Sequence, residues 1–295
     1  MFDWDDLRVF IAAARTSSLT AAGQRLGIDA ATVGRRVARL ETALKSTLLA
    51  RSPTGLQLTA TGASLLHFGL EAETAMEAAA QVAHTDMVAG TVRISAAEGF
   101  GTAVLAPALP LLLAQRSNLR IELAAHAGFL SPSRREVDMA ITLSMPNSHR
   151  VVVEPLTRYQ LALYAAPAYL ARAGEPRRVE DLRGREMVGY VDDLIYATEL
   201  RYLDEVLPGL TPNLASSSIQ AQRAIIAAGG GIGVLPCFLA EGLIRLLPAD
   251  VLIERRFWLG THRDIHETAR MRAVRNWMRD LVSARATSLS PYPSA

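Results

Sequence analysis

The chain of 295 residues contains one cysteine, Cys237. That excludes a disulfide framework and a cysteine-built zinc cluster, and it fits a reducing compartment. No uncharged apolar run reaches the ~20 residues of a membrane-spanning helix. Asp3, Asp5 and Asp6 stand where a secretory signal would place basic residues and then an apolar stretch. A cytoplasmic protein with no membrane partner is the expectation. No repeat of solenoid period is visible, and catalytic constellations are missing as well. Gly229-Gly230-Gly231-Ile232-Gly233 follows a helical stretch and enters a strand-like one, the reverse of a phosphate-binding turn, so it reads as a helix cap and tight turn. His262 and His266 have the i, i+4 spacing of metal ligands, but no third ligand joins them. Cys237 sits in an apolar stretch as a small buried thiol, and Asp192-Asp193 read as solvated loop charges. With no nucleophile, base and oxyanion donor to assemble, neither an enzyme nor a cofactor or metal is expected.

What the chain does have is local polarity. Its net charge is +2, yet the segment from Arg15 to Arg51 holds seven basic residues against two acidic ones, a net +5, and the remainder is −3. Such a distribution suits a polyanionic partner for the first ~60 residues only. Within this segment, at about 100° per residue, Val33, Val37, Leu40 and Leu44 fall within an arc of roughly 60°, with Thr32, Arg35, Arg36 and Arg39 on the other side. Asp29 precedes the run as an N-cap and Gly27 closes the segment before it. This is the layout of a helix-turn-helix whose second helix enters a DNA major groove with Thr32 near its leading end. A surface helix with a solvated arginine face is the alternative, and the flanks decide against it. Trp4, Leu7, Phe10, Ile11 and Ala14 recur at helical spacing, and Ser17-Ser18 offers a cap for a helix over Leu19 to Leu26. Runs at 47–51 and 56–59 flank a turn at Ser52-Pro53-Thr54-Gly55, completing a winged helix-turn-helix. On this reading Arg35, Arg36 and Arg39 supply phosphate and base-edge contacts, Arg36 foremost, with Arg51 on the wing near the backbone.

From Ala60 to Met87 the chain reads as one long helix with an incomplete apolar stripe of Leu66, Leu70, Met76, Ala80 and Ala83. Such a stripe needs a partner, most simply its copy in a second subunit, although Gly62 and Gly69 weaken the helix. Beyond Gly90, short β-like runs alternate with helices, the signature of α/β domains. Strands are expected at 92–95, 120–124, 139–142, 151–154, 161–164, 187–190, 232–235 and 257–259. Helices are expected at 102–115, 168–173, 198–206, 218–228, 237–241 and 267–282. The tail from Ser288 to Pro293 reads as disordered.

Taken together the pattern resembles the LysR-type transcriptional regulators over nearly the whole chain. The resemblance rests on Leu7-Arg8-Val9-Phe10, Ser18-Leu19-Thr20-Ala21-Ala22, Leu26-Gly27-Ile28, the run from Thr32 to Glu41, and Leu56-Gln57-Leu58-Thr59-Ala60-Thr61-Gly62. Looser matches follow at 134–141, 164–170 and 227–236. The resemblance implies an α+β multidomain protein: a winged helix-turn-helix (1–59), a linker and dimerisation helix (60–89), and a two-lobed α/β effector domain like a periplasmic binding protein (90–295). Its first lobe would be 90–160 with 262–290, its second 161–261. The implied function is sequence-specific transcriptional regulation at an interrupted palindrome, by a dimer or tetramer. Double-stranded promoter or operator DNA, a small-molecule effector and further copies of the chain would be its partners, with RNA polymerase a further one that the family allows. The sequence departs from the family pattern at Asp29-Ala30, at Gly34 and at Leu49. Ala30 and Gly34 have no hydrogen-bonding side chain, so Thr32, Arg35 and Arg36 inherit the base contacts. Pro132 also argues against the amphipathic helix found in many members between positions matching Ala125 and Val137.

The effector is expected in the cleft between the lobes. A strand leads through Ala96 to Gly101 into a helix starting near Thr102, and another leads through Ser216-Ser217 into a helix starting near Ser218. Two helix N-termini facing one space would favour a small organic anion. Thr102 and Ser217 would then be hydroxyl donors and Phe100 an apolar wall, with Ser144 a weaker donor and Tyr190 closing the second lobe's side.

Overall fold

The computed structural model describes residues 2–52, 55–82, 88–126, 130–134 and 136–293, without the side chains at 51, 52, 74, 75, 77–82, 126 and 134. The chain divides into two compact units, Met1–Thr85 and Asp86–Ala295.

In the first unit, α1 (Trp4–Thr16), α2 (Leu19–Leu26) and α3 (Ala30–Leu44) are capped by Asp3, Ser18 and Asp29, whose side chains accept from backbone N–H groups of the first turn. Val33, Val37 and Leu40 of α3 are buried with Leu7, Phe10 and Ile11 of α1. The wing follows as an antiparallel hairpin of β1 (Leu49–Ser52) and β2 (Gly55–Leu58). Glu41, at the rear of α3, holds the start of this wing, because its Oε1 accepts from the N–H groups of Leu48 and Leu49 at 2.7 and 3.1 Å. The long helix α4 (Ala60–Val82) is capped by Thr59, whose Oγ1 accepts from Gly62 N–H at 2.9 Å. Gly62 is required by a close approach, since a Cβ there would lie 2.0 Å from the Leu48 carbonyl oxygen. The contact outweighs glycine's ~1 kcal/mol helix penalty.

The expected stripe along this helix is divided. Leu70 is buried in the core of its own unit and Leu66 packs partly against the same core. The stripe expected at a dimer interface thus already covers part of its own unit's core, as an apolar helix face packs on the nearest core first. Met76 and Phe68 remain exposed. The side chain of Ala80, and Ala83 altogether, lie outside the described residues.

The second unit is built on one sheet of nine described strands in the order β4-β3-β5-β11-β6-β9-β7-β8, with β10 paired to β6. In chain order β3 (Gly90–Ala97) runs directly into α5 (Glu98–Phe100), a π-helical turn (Gly101–Leu105) and α6 (Ala106–Gln115). Then come β4 (Leu119–His126), β5 (Met139–Thr142), β6 (Val151–Ala165), α7 (Pro167–Ala173), β7 (Met187–Gly189), α8 (Tyr202–Val206) and β8 (Leu214–Ala215). The chain ends with α9 (Ile219–Ala227), β9 (Ile232–Pro236), β10 (Ile244–Leu246), β11 (Ile253–His262), α10 (Ala269–Ala284) and α11 (Ala286–Leu289). Between β4 and β5 the described residues form only a 3₁₀ turn, Pro132–Arg134.

Two strands tie the lobes together. β6 joins the separate runs expected at 151–154 and 161–164 into one 15-residue strand despite Pro155. Proline lacks a ladder N–H, and the register slips beside it, Trp258 pairing with Pro155 and Phe257 with Thr157. Beyond that slip Trp258 to Thr261 pair with β5, so this end of β11 lies with the first lobe rather than the second. The glycine run after α9 makes a cap and turn, with Gly231 so close to the Glu186 carbonyl that a Cβ would sit 2.4 Å from its oxygen. The C-terminal tail is ordered, against expectation. Leu289 is fully buried, Tyr292 exchanges two hydrogen bonds with the buried Gln160 side chain, and the Arg245 guanidinium lies over the Tyr292 ring. Tyr292 supplies both a donor and an acceptor to this buried amide, whose Nε2 also donates to Glu254 at 3.3 Å.

Candidate functional site

The leading end of α3 is a hydrogen-bonded chain of polar side chains. Asp29 accepts from Thr32 twice, from its N–H at 2.8 Å and its hydroxyl at 2.6 Å. These bonds hold the Asp29 carboxyl below the usual carboxylate range. The Thr32 oxygen in turn accepts from Arg35 Nη2 at 2.8 Å, leaving the rest of the guanidinium in solvent. Thr32 therefore spends its hydroxyl on orienting Arg35.

Arg36 and Arg39 are placed differently. On a helical wheel Arg35 lies roughly 170° from the middle of the apolar face, but Arg36 only roughly 70°, on the flank toward α1. There it faces Asp5 at 3.6 Å. Arg39 folds back onto the same helix, donating from Nε and Nη2 to both oxygens of Asp6 at 2.5 Å, with Asp3 at 3.6 Å. The Asp6 side chain is almost fully buried and requires that partner. Asp6 holds the Arg39 guanidinium even more firmly protonated than usual. Arg39, expected to contact DNA, thus also fastens α3 to α1 through a side chain that stays 60% exposed. The acids of the first turn, which the sequence presents as helix-dipole partners, were the missed signal. Arg51 stands in β1, and its side chain is outside the described residues.

In the second unit the lobes face each other across a cleft of about 380 Å³, counting the solvent at its mouth. Phe100, Tyr190 and Ser217 line it as expected; Thr102 and Ser144 do not. An aromatic wall that sequence reasoning missed accounts for much of the rest. Phe257 stacks on Tyr159 with ring centroids 4.1 Å apart and meets Phe100 at 4.5 Å. Tyr190, Tyr196, Tyr202 and Phe238 continue the lining. Burial pushes the phenols of Tyr159, Tyr190 and Tyr202 above their ordinary range, keeping them neutral donors and acceptors.

The helix N-termini are not open. The helical segment begins at Glu98, a turn earlier than expected, so Thr102 lies inside it and donates its hydroxyl to the Glu98 carbonyl at 2.8 Å. The Thr102 oxygen also accepts from Gln220 of the other lobe. At the start of α9, Glu98 itself takes the anion's place: its carboxylate accepts from Ser218 Oγ at 2.8 Å and from Ile219 N–H at 2.9 Å. The hydroxyl of Ser144 donates to the Glu199 carboxylate at 2.7 Å. Donors of the expected type are thus present, and the acids they meet belong to the protein.

The other candidates resolve simply. His262 is buried and its Nδ1 accepts from Asp264 N–H at 3.2 Å. Among the described residues no three histidine, cysteine or acidic side chains are grouped as metal ligands. Burial pushes the Cys237 thiol up, away from a nucleophile's range. Asp192 is paired with Arg201 at 2.5 Å. No helix of the described residues is long and apolar enough to cross a membrane.

Comparison with known proteins matches both units. Residues 4–63 match the family model of the bacterial regulatory helix-turn-helix protein, lysR family, and residues 85–283 that of the LysR substrate binding domain. The Mau operon transcriptional activator of Paracoccus denitrificans is 27% identical over 283 residues, 95% of this chain and 96% of that protein. The HTH-type transcriptional regulator CrgA of Neisseria meningitidis serogroup C is 27% identical over 254 residues, 83% of this chain and 84% of its own. Among solved structures, CrgA superposes with a TM-score of 0.59 at 23% identity, covering 96% of this chain and 99% of that one. A full-length OxyR point variant of Pseudomonas aeruginosa gives 0.70 at 17% identity, covering 96% and 98%.

Proposed function

The chain belongs to the LysR-type transcriptional regulators, which join a DNA-binding helix-turn-helix to an effector-binding domain, and from that premise we propose how this member divides the work. Arg35 is the leading base reader, aimed by Thr32 and Asp29 from the N-terminal end of the recognition helix, where base edges are met. Arg36 and Arg51 hold phosphates on either side. Arg39 positions the helix. The observation that carries this assignment is the Asp29–Thr32–Arg35 chain, which leaves one guanidinium fixed and facing outward.

The operator is an interrupted palindrome read by two or four copies of the chain, because a two-fold protein reads a two-fold site. Exposed Phe68 and Met76 on α4, and Leu111 and Leu113 on α6, are the apolar surfaces available for self-association. Residues 1–59 form the DNA-binding part, 60–89 the linker and 90–295 the effector-binding part, acting in the cytoplasm and contacting RNA polymerase at the promoter. The effector enters the cleft between the lobes, against Phe100, Tyr190 and Ser217. It shifts the DNA-bound arrangement only by its difference in affinity between the two states.

The test is a binding titration on the DNA upstream of the protein's own gene. Arg35→Ala is expected to cost about 1–3 kcal/mol on the specific site and little on random DNA. Arg36→Ala should weaken both alike. Wild-type affinity in the Arg35→Ala protein would remove the assignment, and binding insensitive to salt would remove phosphate contact altogether.

A further inference from the structure

The cleft's electrostatics argue for a ligand class opposite to the anion that two open helix N-termini would attract. Among the described residues its lining contains no arginine, lysine or histidine, and its one charged side chain is the Glu98 carboxylate. The N–H group at the start of α9 that would meet an anion is already given to Glu98, as is the Ser218 hydroxyl. The walls are the rings of Phe100, Tyr159, Tyr190, Tyr202, Phe238 and Phe257. An aromatic carboxylate entering this space would set two like charges side by side in a weakly screened site, whereas a ring bearing an amine or hydroxyl would offer Glu98 a donor.

We propose that the interlobe cleft takes an uncharged or cationic single-ring aromatic molecule with a hydrogen-bond donor, and that Glu98 selects it by excluding aromatic acids. The inference rests on the cleft being the effector site. Glu98 bonds across from the first lobe to Ser218 and Ile219 of the second, at 2.8 and 2.9 Å. A bound amine or hydroxyl takes over the carboxylate from those donors. Ligand entry and the release of this interlobe link are then one event, which gives the ligand a difference in affinity between arrangements of the lobes.

Thermal unfolding of the full chain with 2-phenylethylamine, 2-phenylethanol and phenylacetate at millimolar concentration tests both layers. The amine and the alcohol are expected to raise the melting temperature of the wild type by about 2–4 °C or more, and phenylacetate to leave it unchanged. Glu98→Gln keeps the shape and the acceptor but removes the charge, so the amine should lose its advantage and phenylacetate should gain a shift. Tyr190→Ala, at a half-buried wall, should diminish every shift. Phenylacetate stabilising the wild type as well as the amine does, with Glu98→Gln leaving the order unchanged, would overturn the role of Glu98 while the cleft reading stands. Shifts that pass undiminished through Tyr190→Ala would overturn the cleft reading itself. No shift with any of the three would overturn the aromatic ligand class.

Discussion

On α3, Thr32 and Arg35 are bound to each other and left facing solvent, whereas in the second unit Glu98, Thr102 and Ser144 are each bound across to the opposite lobe. The first arrangement has a fixed donor waiting for a partner that brings its own negative charge. The second has its donors already engaged, so any partner must compete with the protein. A preorganised face costs little on binding and favours affinity, while an internally satisfied cleft makes binding conditional on a rearrangement. Reading DNA asks for the first property and sensing a small molecule asks for the second.

The largest effects should separate the two regions by stability. Phe257→Ala removes the ring that joins Tyr159 to Phe100 and should cost about 3–5 kcal/mol, lowering only the unfolding transition of the second unit. Leu70→Ala should cost about 2–4 kcal/mol and lower only that of the first unit, with the mass in solution unchanged. Differential scanning calorimetry and light scattering on both variants decide the matter. A Leu70→Ala protein that keeps the first unit's stability but dissociates would return Leu70 to an interface.

These two regions were not equally legible in the sequence. A recognition helix displays its site through a period of 3.6 residues, so Val33, Val37 and Leu40 could be called core, and Arg35 outward, from spacing alone. The ion pairs of Arg36 and Arg39 were not legible because their partners, Asp5 and Asp6, lie about thirty residues away, and the wheel says nothing of what stands beside a flank. The packing of Leu70 on its own unit's core was hidden likewise, since a stripe states that a face is covered and not by what. In the cleft the lining runs from Ala97 to Phe257, so no local pattern assembles it. Phe100, Tyr190 and Ser217 were found because they follow strand ends. Glu98 was passed over because Ala97-Glu98-Gly99 reads as a loop, while the chain turns straight from β3 into a helix.

A smaller effect would sharpen the comparison from the DNA side. Asp5 faces Arg36 at 3.6 Å with side chains 53% and 34% exposed, so this solvent-screened pair adds about 0–1 kcal/mol to stability and mainly restrains the arginine. Asp5→Asn should leave folding almost unchanged and raise affinity for all DNA sequences a few-fold, with the salt dependence steepened by about one charge. Affinity unchanged over a full salt series would place Arg36 off the DNA.

The smallest effect belongs to the second unit and follows pH. His266, after β11, has its Nδ1 buried without a partner among the described residues, and burial followed by the nearby Arg275 guanidinium lowers its pKa from the ordinary 6.5; Glu267, 3.4 Å from Nε2, opposes this more weakly. The folded state therefore binds this proton less readily than the unfolded chain. The contribution to stability is full above about pH 6.5 and is lost as pH falls below that value toward the lowered folded pKa. The second unit's melting temperature should fall as the buffer is taken from neutral toward about pH 5, and His266→Gln, which cannot take up the proton, should flatten that part of the profile. An acid slope that survives His266→Gln intact would remove the assignment to His266, and a slope shared equally by both transitions would mean that the two regions do not unfold apart.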